Sequence, residues 1–240
     1  MKTRLDRLVV ERGLARSREN AQALIMAGEV LVDGQKASKP GQPVAADCAV
    51  VVLARPPYVS RGGLKLAGAL QHFAIHVAGV VCLDIGSSTG GFTDALLQAG
   101  AARVHAVDVG AGQLAWSLRT DPRVALHEGI NARKLKPGDI GERVDFLSCD
   151  VSFISVTLIL PAVVPLLQPE GQMVILIKPQ FEAGKGLVGK GGIVRDPEVH
   201  RAVCEKVTRA VREFGFETSI VDSPIRGAEG NREFLLYAHH

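Results

Sequence analysis

Residues 80–110 read VVCLDIGSSTGGFTDALLQAGAARVHAVDVG. An apolar run leads through Asp84 into a loop of small residues that contains Gly86, Gly90 and Gly91, and a helical pattern follows. In open α/β sheets, the loop between the first strand and its helix is where a nucleotide-like ligand lies against the backbone. The stretch therefore predicts the first strand–loop–helix unit of such a sheet, with a ligand at the loop.

The spacing of this loop excludes two common phosphate-binding fingerprints. It runs G-x-x-x-G-G instead of G-x-G-x-x-G, and Phe92 stands where a phosphate loop requires lysine. The next apolar run ends at Asp108, where a carboxylate can accept hydrogen bonds from ribose hydroxyls, and acids near the first loop suit a ligand with an ammonium group. S-adenosylmethionine carries both groups, so we expect it as the cofactor. A tight turn that binds no ligand is the alternative.

Apolar runs alternate with helix-like segments along the rest of the chain. VDFLSC (144–149) and QMVILIK (172–178) continue the series, and EFLLYAH (233–239) reads as an added strand. Such alternation is typical of a parallel sheet that is covered on both faces. We therefore predict an α/β fold for residues 59–240, a Rossmann-like sheet with helices on both faces.

The first 58 residues predict a separate small α+β domain. Two short helices end at Gly13 and Gly28, and β-branched runs with turn signals follow them. Residues 1–60 hold nine Lys or Arg against six Asp or Glu, which favours a polyanionic partner. Three arginines are candidates for phosphate contacts, with a merely solvated face as the alternative: Arg4, Arg16 and Arg18.

Composition excludes two classes of protein. The four cysteines lie far apart, which indicates reduced thiols and predicts neither a disulfide framework nor a metal site. No apolar run approaches the roughly 20 residues that cross a bilayer, and the opening MKTRLDRLVVERG forms no signal-peptide core. We therefore expect a cytoplasmic protein without membrane contact.

Two reactive side chains end apolar runs. Asp150 follows LSC, and Lys178 follows VILI, so a parallel sheet would place both at the same edge as Gly86. Taken singly, Asp150 could cap a helix and Lys178 could be a cation that reaches solvent from the domain edge. Together they fit a general base and its partner. A lysine base must be desolvated or lie near another cation, for which Lys65 is available, and Glu233 could orient it.

This set of side chains suits methyl transfer to a ribose. A 2′-hydroxyl is a poor nucleophile, so a base must remove its proton as it attacks the methyl group of a sulfonium.

Five segments together resemble the TlyA family of ribosomal RNA 2′-O-methyltransferases, often labelled hemolysin-like: VSRGGLKL, LDIGSSTGGFTD, CDVSFISV, KPQFEAGKGLVGKGGIVRD and GNREF. The catalytic part is similar to the FtsJ methyltransferase group, and the N-terminal part is similar to the RNA-binding module of ribosomal small-subunit protein four. The resemblance covers essentially the whole chain. It implies a Rossmann-like methyltransferase domain at residues 59–240, after a small RNA-binding domain at residues 1–58.

The resemblance also implies roles for individual residues. The catalytic tetrad corresponds to Lys65, Asp150, Lys178 and Glu233, with Lys178 as the general base, and Glu233 is preferred to the neighbouring acid Glu182. The expected cofactor-binding residues are Asp84, Gly86, Ser87, Thr89, Gly90, Gly91, Asp108 and Asn131. The expected RNA-binding residues are Arg4, Arg16, Arg18, Arg61, Lys185 and Lys190. A Gly86→Val change is expected to weaken cofactor binding sharply and leave the fold intact.

The chain resembles the shorter of two types in the family, which implies a cytidine in large-subunit ribosomal RNA as the target. A non-catalytic RNA-binding factor for ribosome assembly is the alternative function. A membrane-lytic protein would require an amphipathic or membrane-spanning segment, and the sequence shows none.

Overall fold

The computed structural model describes residues 2–53, 56–227 and 229–240. Its contacts divide the chain into two units, Met1–Pro56 and Pro57–His240. The division falls two residues before the boundary predicted from sequence. Pro57 and Val59 each take part in a hydrogen bond with the second helix of the larger unit, through Gln98 and Asp94.

The N-terminal unit is a small α+β domain with its own core. Its strands and helices, in chain order, are β1 (Lys2–Arg4), α1 (Leu5–Glu11), α2 (Arg18–Met26), β2 (Val30–Val32), β3 (Gln35–Lys36), β4 (Pro43–Ala45) and β5 (Val50–Val52). Strands β1 and β4 pair with each other, and β2 lies between β3 and β5. The core includes Leu5, Val9, Ile25 and Val30, all with no exposed surface. The Ser17 side chain caps α2 by accepting the Asn20 N–H.

The larger unit is built on a sheet of seven strands. They are β6 (Val81–Ile85), β7 (Arg103–Asp108), β8 (Val124–Glu128), β9 (Val144–Cys149), β10 (Leu167–Ile177), β11 (Glu217–Asp222) and β12 (Phe234–His239). Their order is β11-β12-β10-β9-β6-β7-β8, with β6 to β10 parallel and β12 antiparallel to both neighbours. The chain runs outward from β6 in one direction and returns to its other side at β9. The order therefore reverses between β6 and β9, where ligands bind in sheets of this class.

Helices cover both faces of this sheet. They are α3 (Gly62–His72), α4 (Gly91–Gln98), α5 (Trp116–Arg119), α6 (Pro137–Ile140), α7 (Leu160–Val163), α8 (Pro179–Glu182) and α9 (Pro197–Arg212). Residues of α3 and α4 share one apolar cluster with Cys82, and valines of α9 share another with Leu83. Because strand side chains alternate between faces, these clusters are the two sides of the sheet. The predicted α/β fold is confirmed.

Candidate active site

The loop at 86–90, between β6 and α4, requires glycine at its first position. Gly86 has φ +83°, and a Cβ there would lie 2.4 Å from the carbonyl oxygen of Asp150. Its N–H donates to the carbonyl of Val107 on β7 at 2.9 Å. The loop is therefore held between the two neighbouring strands, with its backbone against the residue that follows β9.

Two adjoining cavities lie at this edge of the sheet. The first, which we call the apolar cavity, has a volume of about 400 Å³ and is lined by Val107, Val109, Ile130, Ile154, Asp108 and Asn131, among others. The second, the basic cavity, has about 220 Å³ and is lined by Ser60, Arg61, Lys65, Ser87, Thr89, Gly91, Lys178 and Arg226, among others. Gly86, Ser88, Asp150 and Ser152 line both. These four residues form the common wall at which the two cavities adjoin, so ligands bound in the two cavities would lie next to each other.

Asp108 gives the apolar cavity a polar end. One carboxylate oxygen accepts the N–H of Ser88 at 2.7 Å and the other accepts the N–H of Gly110 at 2.7 Å. An ionised carboxylate can accept further hydrogen bonds beyond these two. The apolar cavity therefore combines apolar walls with a fixed acceptor, which is suited to an aromatic base joined to a ribose.

The four residues of the predicted tetrad form two ion pairs. Lys178, directly after β10, lies 2.5 Å from Asp150 Oδ1, directly after β9, and donates to Ser152 Oγ at 2.9 Å. Lys65 on α3 donates to Glu233, directly before β12, at 2.5 Å. Both lysines and Asp150 line the basic cavity, and Glu233 is buried behind Lys65. The structure therefore brings together side chains from four separate elements.

Two buried oxygens at the cavities lack an aligned donor or acceptor among the described residues. Ser87 Oγ has no hydrogen-bond partner although its residue is only 4% exposed. Asp150 Oδ1 is close to Lys178 Nζ, but the angle is not that of a hydrogen bond. Asp150 Oδ1 already has the Lys178 ammonium as its ion-pair partner. Buried polar groups normally find partners, so the Ser87 oxygen is the one that points to a ligand.

Two of the expected cofactor contacts lie outside both cavities. Asp84 has no exposed surface and accepts hydrogen bonds from Thr93 Oγ1 at 2.7 Å and Ser148 Oγ at 3.0 Å. Gly90 has φ +98°, and a Cβ there would meet the Leu118 side chain at 2.3 Å. We therefore reassign Asp84 and Gly90 to support of the loop, since both act below the surface that the ligand would touch. The other six expected residues line a cavity.

Glu182 lies elsewhere and has a structural role. It accepts hydrogen bonds from the backbone of Val156 at 2.6 Å, from Ser155 Oγ at 2.5 Å and from Lys206 Nζ at 3.0 Å. These contacts fix the segment after β9 to α8 and α9. The preference for Glu233 as the partner of Lys65 agrees with this geometry.

The expected RNA contacts fall into two groups. Arg4 and Arg18 form ion pairs with the buried Asp6 at 2.9 and 3.0 Å. These two arginines therefore stabilise the N-terminal unit. Arg16, Arg61 and Lys190 are exposed, and among the described residues none has a carboxylate within ion-pair distance. The Lys185 side chain lies outside what the structure describes.

Six lining residues of the basic cavity were not predicted as site residues from the sequence: Ser60, Gly62, Ser88, Phe92, Ser152 and Arg226. Two of them have side chains that bear on the chemistry. Ser152, which binds Lys178, stands two residues after Asp150 and could have been found from that spacing. Arg226 lies in the loop before β12, and nothing in the sequence distinguishes it from other exposed arginines.

Within the described residues, no helix is both long and apolar enough to span a membrane. The same part of the chain holds no cluster of three or more potential metal ligands.

Comparison with known proteins assigns both units to families. Residues 58–240 match the family described as FtsJ-like methyltransferase, and residues 3–47 match the S4 domain. The 16S/23S rRNA (cytidine-2′-O)-methyltransferase TlyA of Mycobacterium tuberculosis is 50% identical over 239 residues, which are 98% of this chain and 89% of the relative. A candidate rRNA methyltransferase of Bacillus subtilis is 49% identical over 99% of this chain and 86% of the relative.

A solved structure agrees with these matches. A candidate hemolysin of Streptococcus thermophilus is 45% identical, covers 99% of this chain and 88% of its own, and superposes with a TM-score of 0.76. The chain therefore belongs to the TlyA family of FtsJ-like methyltransferases, with an S4 domain ahead of the methyltransferase domain.

Proposed function

We propose that the protein transfers a methyl group from S-adenosylmethionine to the 2′-hydroxyl of a cytidine in ribosomal RNA, with Lys178 as the general base. The observation that carries this proposal is the pair of cavities with a common wall. One suits a nucleoside, and the other presents Lys178 and Asp150 to a second ligand. Methyl transfer requires two ligands that meet at one point.

The residues of the apolar cavity fit the cofactor. Asp108 can accept hydrogen bonds from ribose hydroxyls, and Ile130 and Asn131 of the same cavity are suited to hold the adenine. The close backbone approach at Gly86, which lines both cavities, is consistent with a ligand at the loop. When bound, the cofactor supplies an electrophilic methyl group on a sulfonium.

Lys178 is suited to take the proton of the attacking hydroxyl. Its ammonium nitrogen lies between Asp150 and Ser152 at the common wall, and the side chain is only 11% exposed. Asp150 and Ser152 hold the nitrogen in one position, while Lys65, fixed by Glu233, provides a second cation in the same cavity. A lysine accepts a proton only after its ammonium has lost one, so the reaction should accelerate with rising pH.

The test replaces Lys178 by Arg and by Met. Both variants should lose roughly 10²- to 10⁴-fold in the rate of methyl transfer, because a guanidinium stays protonated and a thioether cannot accept the proton. The measurement is transfer of labelled methyl groups to ribosomal RNA under single-turnover conditions. Calorimetry on the same variants should show unchanged cofactor binding.

Lys134→Met is the matched control, since this exposed lysine of the same unit lines neither cavity. It should keep the full rate. Substantial activity in Lys178→Arg would mean that only the positive charge matters, and the base would then be Asp150 or a water molecule. RNA binding without any methyl transfer by the unaltered protein would support the non-catalytic alternative.

The choice of RNA rests on the S4 domain and on the relatives. The name of the Mycobacterium tuberculosis relative specifies cytidines in both 16S and 23S RNA. For this chain we expect a cytidine of large-subunit RNA. Mass-spectrometric mapping of 2′-O-methyl groups in both RNAs after reaction with isolated subunits decides between one target and two.

A further inference from the structure

The two cavities carry opposite charges. The titratable side chains of the apolar cavity are the acids Asp108 and Asp150, without any cation among its described lining residues. The basic cavity is lined by four cationic side chains against the single carboxylate of Asp150: Arg61, Lys65, Lys178 and Arg226. Lys65 and Lys178 have carboxylate partners, so the excess positive charge belongs to the two arginines.

Arg61 and Arg226 are held by backbone carbonyls instead of carboxylates. Arg61 Nη2 donates to the carbonyl of Arg226 at 2.8 Å, and Arg226 Nη1 donates to the carbonyl of Gly230 at 3.1 Å. Within the described residues no carboxylate lies within 4.0 Å of either guanidinium, whereas the nearby Arg232 is paired with Asp222. Each guanidinium keeps free N–H groups in the planar arrangement that matches phosphate oxygens.

Two helix ends and one hydroxyl add to this positive surface. Helices α3 and α4 begin at Gly62 and Gly91, and a Cβ on Gly91 would lie 2.8 Å from the N–H nitrogen of Gly63. The positive ends of both helix dipoles therefore meet at the basic cavity. Ser87 Oγ lines the same cavity and has no hydrogen-bond partner among the described residues.

We propose that Arg226, together with Arg61, binds the phosphate group that adjoins the target ribose. In RNA the 3′-phosphate is attached to the carbon next to the one that bears the 2′-hydroxyl. A strand whose hydroxyl reaches Lys178 therefore brings a phosphate into the same cavity, whatever its sequence. Both arginines are exposed, so a strand in solvent can reach them. This inference rests on the proposed function, because it assigns the anion to the RNA substrate.

The carboxylate of the cofactor's methionine part is the other anion that these groups could bind, and the experiment separates the two. Arg226→Gln should raise the KM for RNA about tenfold, with a smaller change in kcat, because a charge-assisted hydrogen bond to substrate is lost. The slope of log affinity for RNA against log salt concentration should become shallower by roughly one, since one phosphate contact is lost. Cofactor affinity, measured by calorimetry, should not change.

Arg143→Gln is the matched control. Arg143 is equally an exposed arginine of this unit, but it precedes β9 and so lies at the opposite edge of the sheet from the cavities. It removes the same charge and should alter neither the RNA KM nor the salt slope. Arg226→Lys should recover only part of the RNA affinity, because lysine keeps the charge and loses the paired donors.

Two results would overturn the assignment. A loss of cofactor affinity with an unchanged RNA KM would place the methionine carboxylate at Arg226. Values equal to those of Arg143→Gln would show that Arg226 is an ordinary solvated side chain. Failure of the proposed function is recognised separately, as an absence of methyl transfer by the unaltered protein, and RNA binding with its salt slope tests Arg226 even then.

Discussion

Asp84 is a carboxyl group without exposed surface, and its hydrogen bonds lie behind the loop at 86–90. Burial raises its pKa to about 7, although the hydrogen bonds from Thr93 and Ser148 act in the opposite direction. It thereby connects β6 to α4 and to β9 behind the loop. From the sequence, Asp84 was expected to contact the cofactor, but the structure places it behind the loop. An acid near the end of a strand can either face a ligand or support the loop, and the sequence pattern does not separate the two.

The raised pKa of Asp84 predicts a pH-dependent stability. In the unfolded chain the pKa is about 3.9, so between pH 4 and pH 7 the folded protein keeps a proton that the unfolded chain releases. The stabilisation at this site is complete below pH 4 and decreases by at most about 1.4 kcal/mol per pH unit as the pH rises to 7. Asp84→Asn removes this titration. Urea unfolding of both proteins should be measured at pH 5 and at pH 8. From pH 5 to pH 8 the unaltered chain should lose unfolding free energy that the variant keeps, so the difference between them should shift in favour of the variant. An equal change in both proteins would contradict the assignment.

Gly86 shows why a glycine in a loop of this kind is a poor probe of ligand binding. The expectation that Gly86→Val would spare the fold was wrong, because the new Cβ would overlap the Asp150 carbonyl and the residue has a positive φ. The need for glycine was visible in the sequence. The strand against which it packs was not, since β9 lies about 60 residues further along the chain.

Helix α3 and strand β12 are joined by the Lys65–Glu233 pair, whose side chains are 10% and 3% exposed. The strand end is fixed independently, because the buried Asn231 accepts the N–H of Val194 and donates to the carbonyl of Gly192. The motif GNREF therefore positions the carboxylate that orients Lys65. Sequence order alone could not show this, since the two residues are 168 positions apart.

Replacing one member of the Lys65–Glu233 pair should destabilise the larger unit more than replacing both members with apolar residues. Glu233→Gln leaves a buried ammonium without its carboxylate and should cost roughly 3–5 kcal/mol of unfolding free energy. The double variant Lys65→Met/Glu233→Leu buries no charge and should recover most of this stability, yet it should remain inactive. Chemical denaturation and methyl-transfer assays on both variants test the prediction. Equal stability of the single and double variants would show that the pair is not desolvated as the structure indicates.

The strands that could be predicted from the sequence are those with a clear run of apolar residues. Strands β6, β7 and β9 and the second half of β10 are predominantly apolar because they are buried on both faces, whereas residues 168–170 of β10 are exposed. The charged side chains of the site stand at the end of β7 and directly after β9 and β10. Strand β8 was missed because it lies at the sheet edge and is only half-buried throughout. Between Ser155 and β10 the chain forms only the short helix α7 and single helical turns on either side of it, since Pro161 and Pro165 each lack a backbone donor.

We propose that the N-terminal unit supplies much of the RNA affinity, while the larger unit carries the chemistry. Each unit has its own apolar core, and the basic N-terminal unit matches the S4 domain. Within that unit, the hydrogen bond from Arg4 holds the pKa of Asp6 well below its usual range. Arg4 and Arg18 are therefore partly committed to folding, and Arg16 is the better single probe of phosphate contact.

A chain without residues 2–53 should fold and bind cofactor with unchanged affinity but bind RNA more weakly. The cut keeps Pro57, Tyr58 and Val59, which belong to the larger unit and pack against the rest of it. Removal of residues 1–58 would delete the first two of them. RNA affinity should fall and its dependence on salt should become shallower, because fewer counterions are released. Calorimetry with cofactor and filter binding with RNA at several salt concentrations provide the measurements. An unchanged salt slope would show that the S4 domain makes no phosphate contacts.

The common wall of the two cavities also defines how the protein could be inhibited. A nucleoside joined by a short linker to an anionic sugar phosphate would place a neutral end against Asp108 and a negative end against Arg226, on either side of Asp150. Joining two weak fragments makes the second binding event intramolecular, so the linked compound should bind far more tightly than either half. Selectivity would come from the anionic half, since methyltransferases that act on small neutral substrates have no use for a basic cavity beside the cofactor.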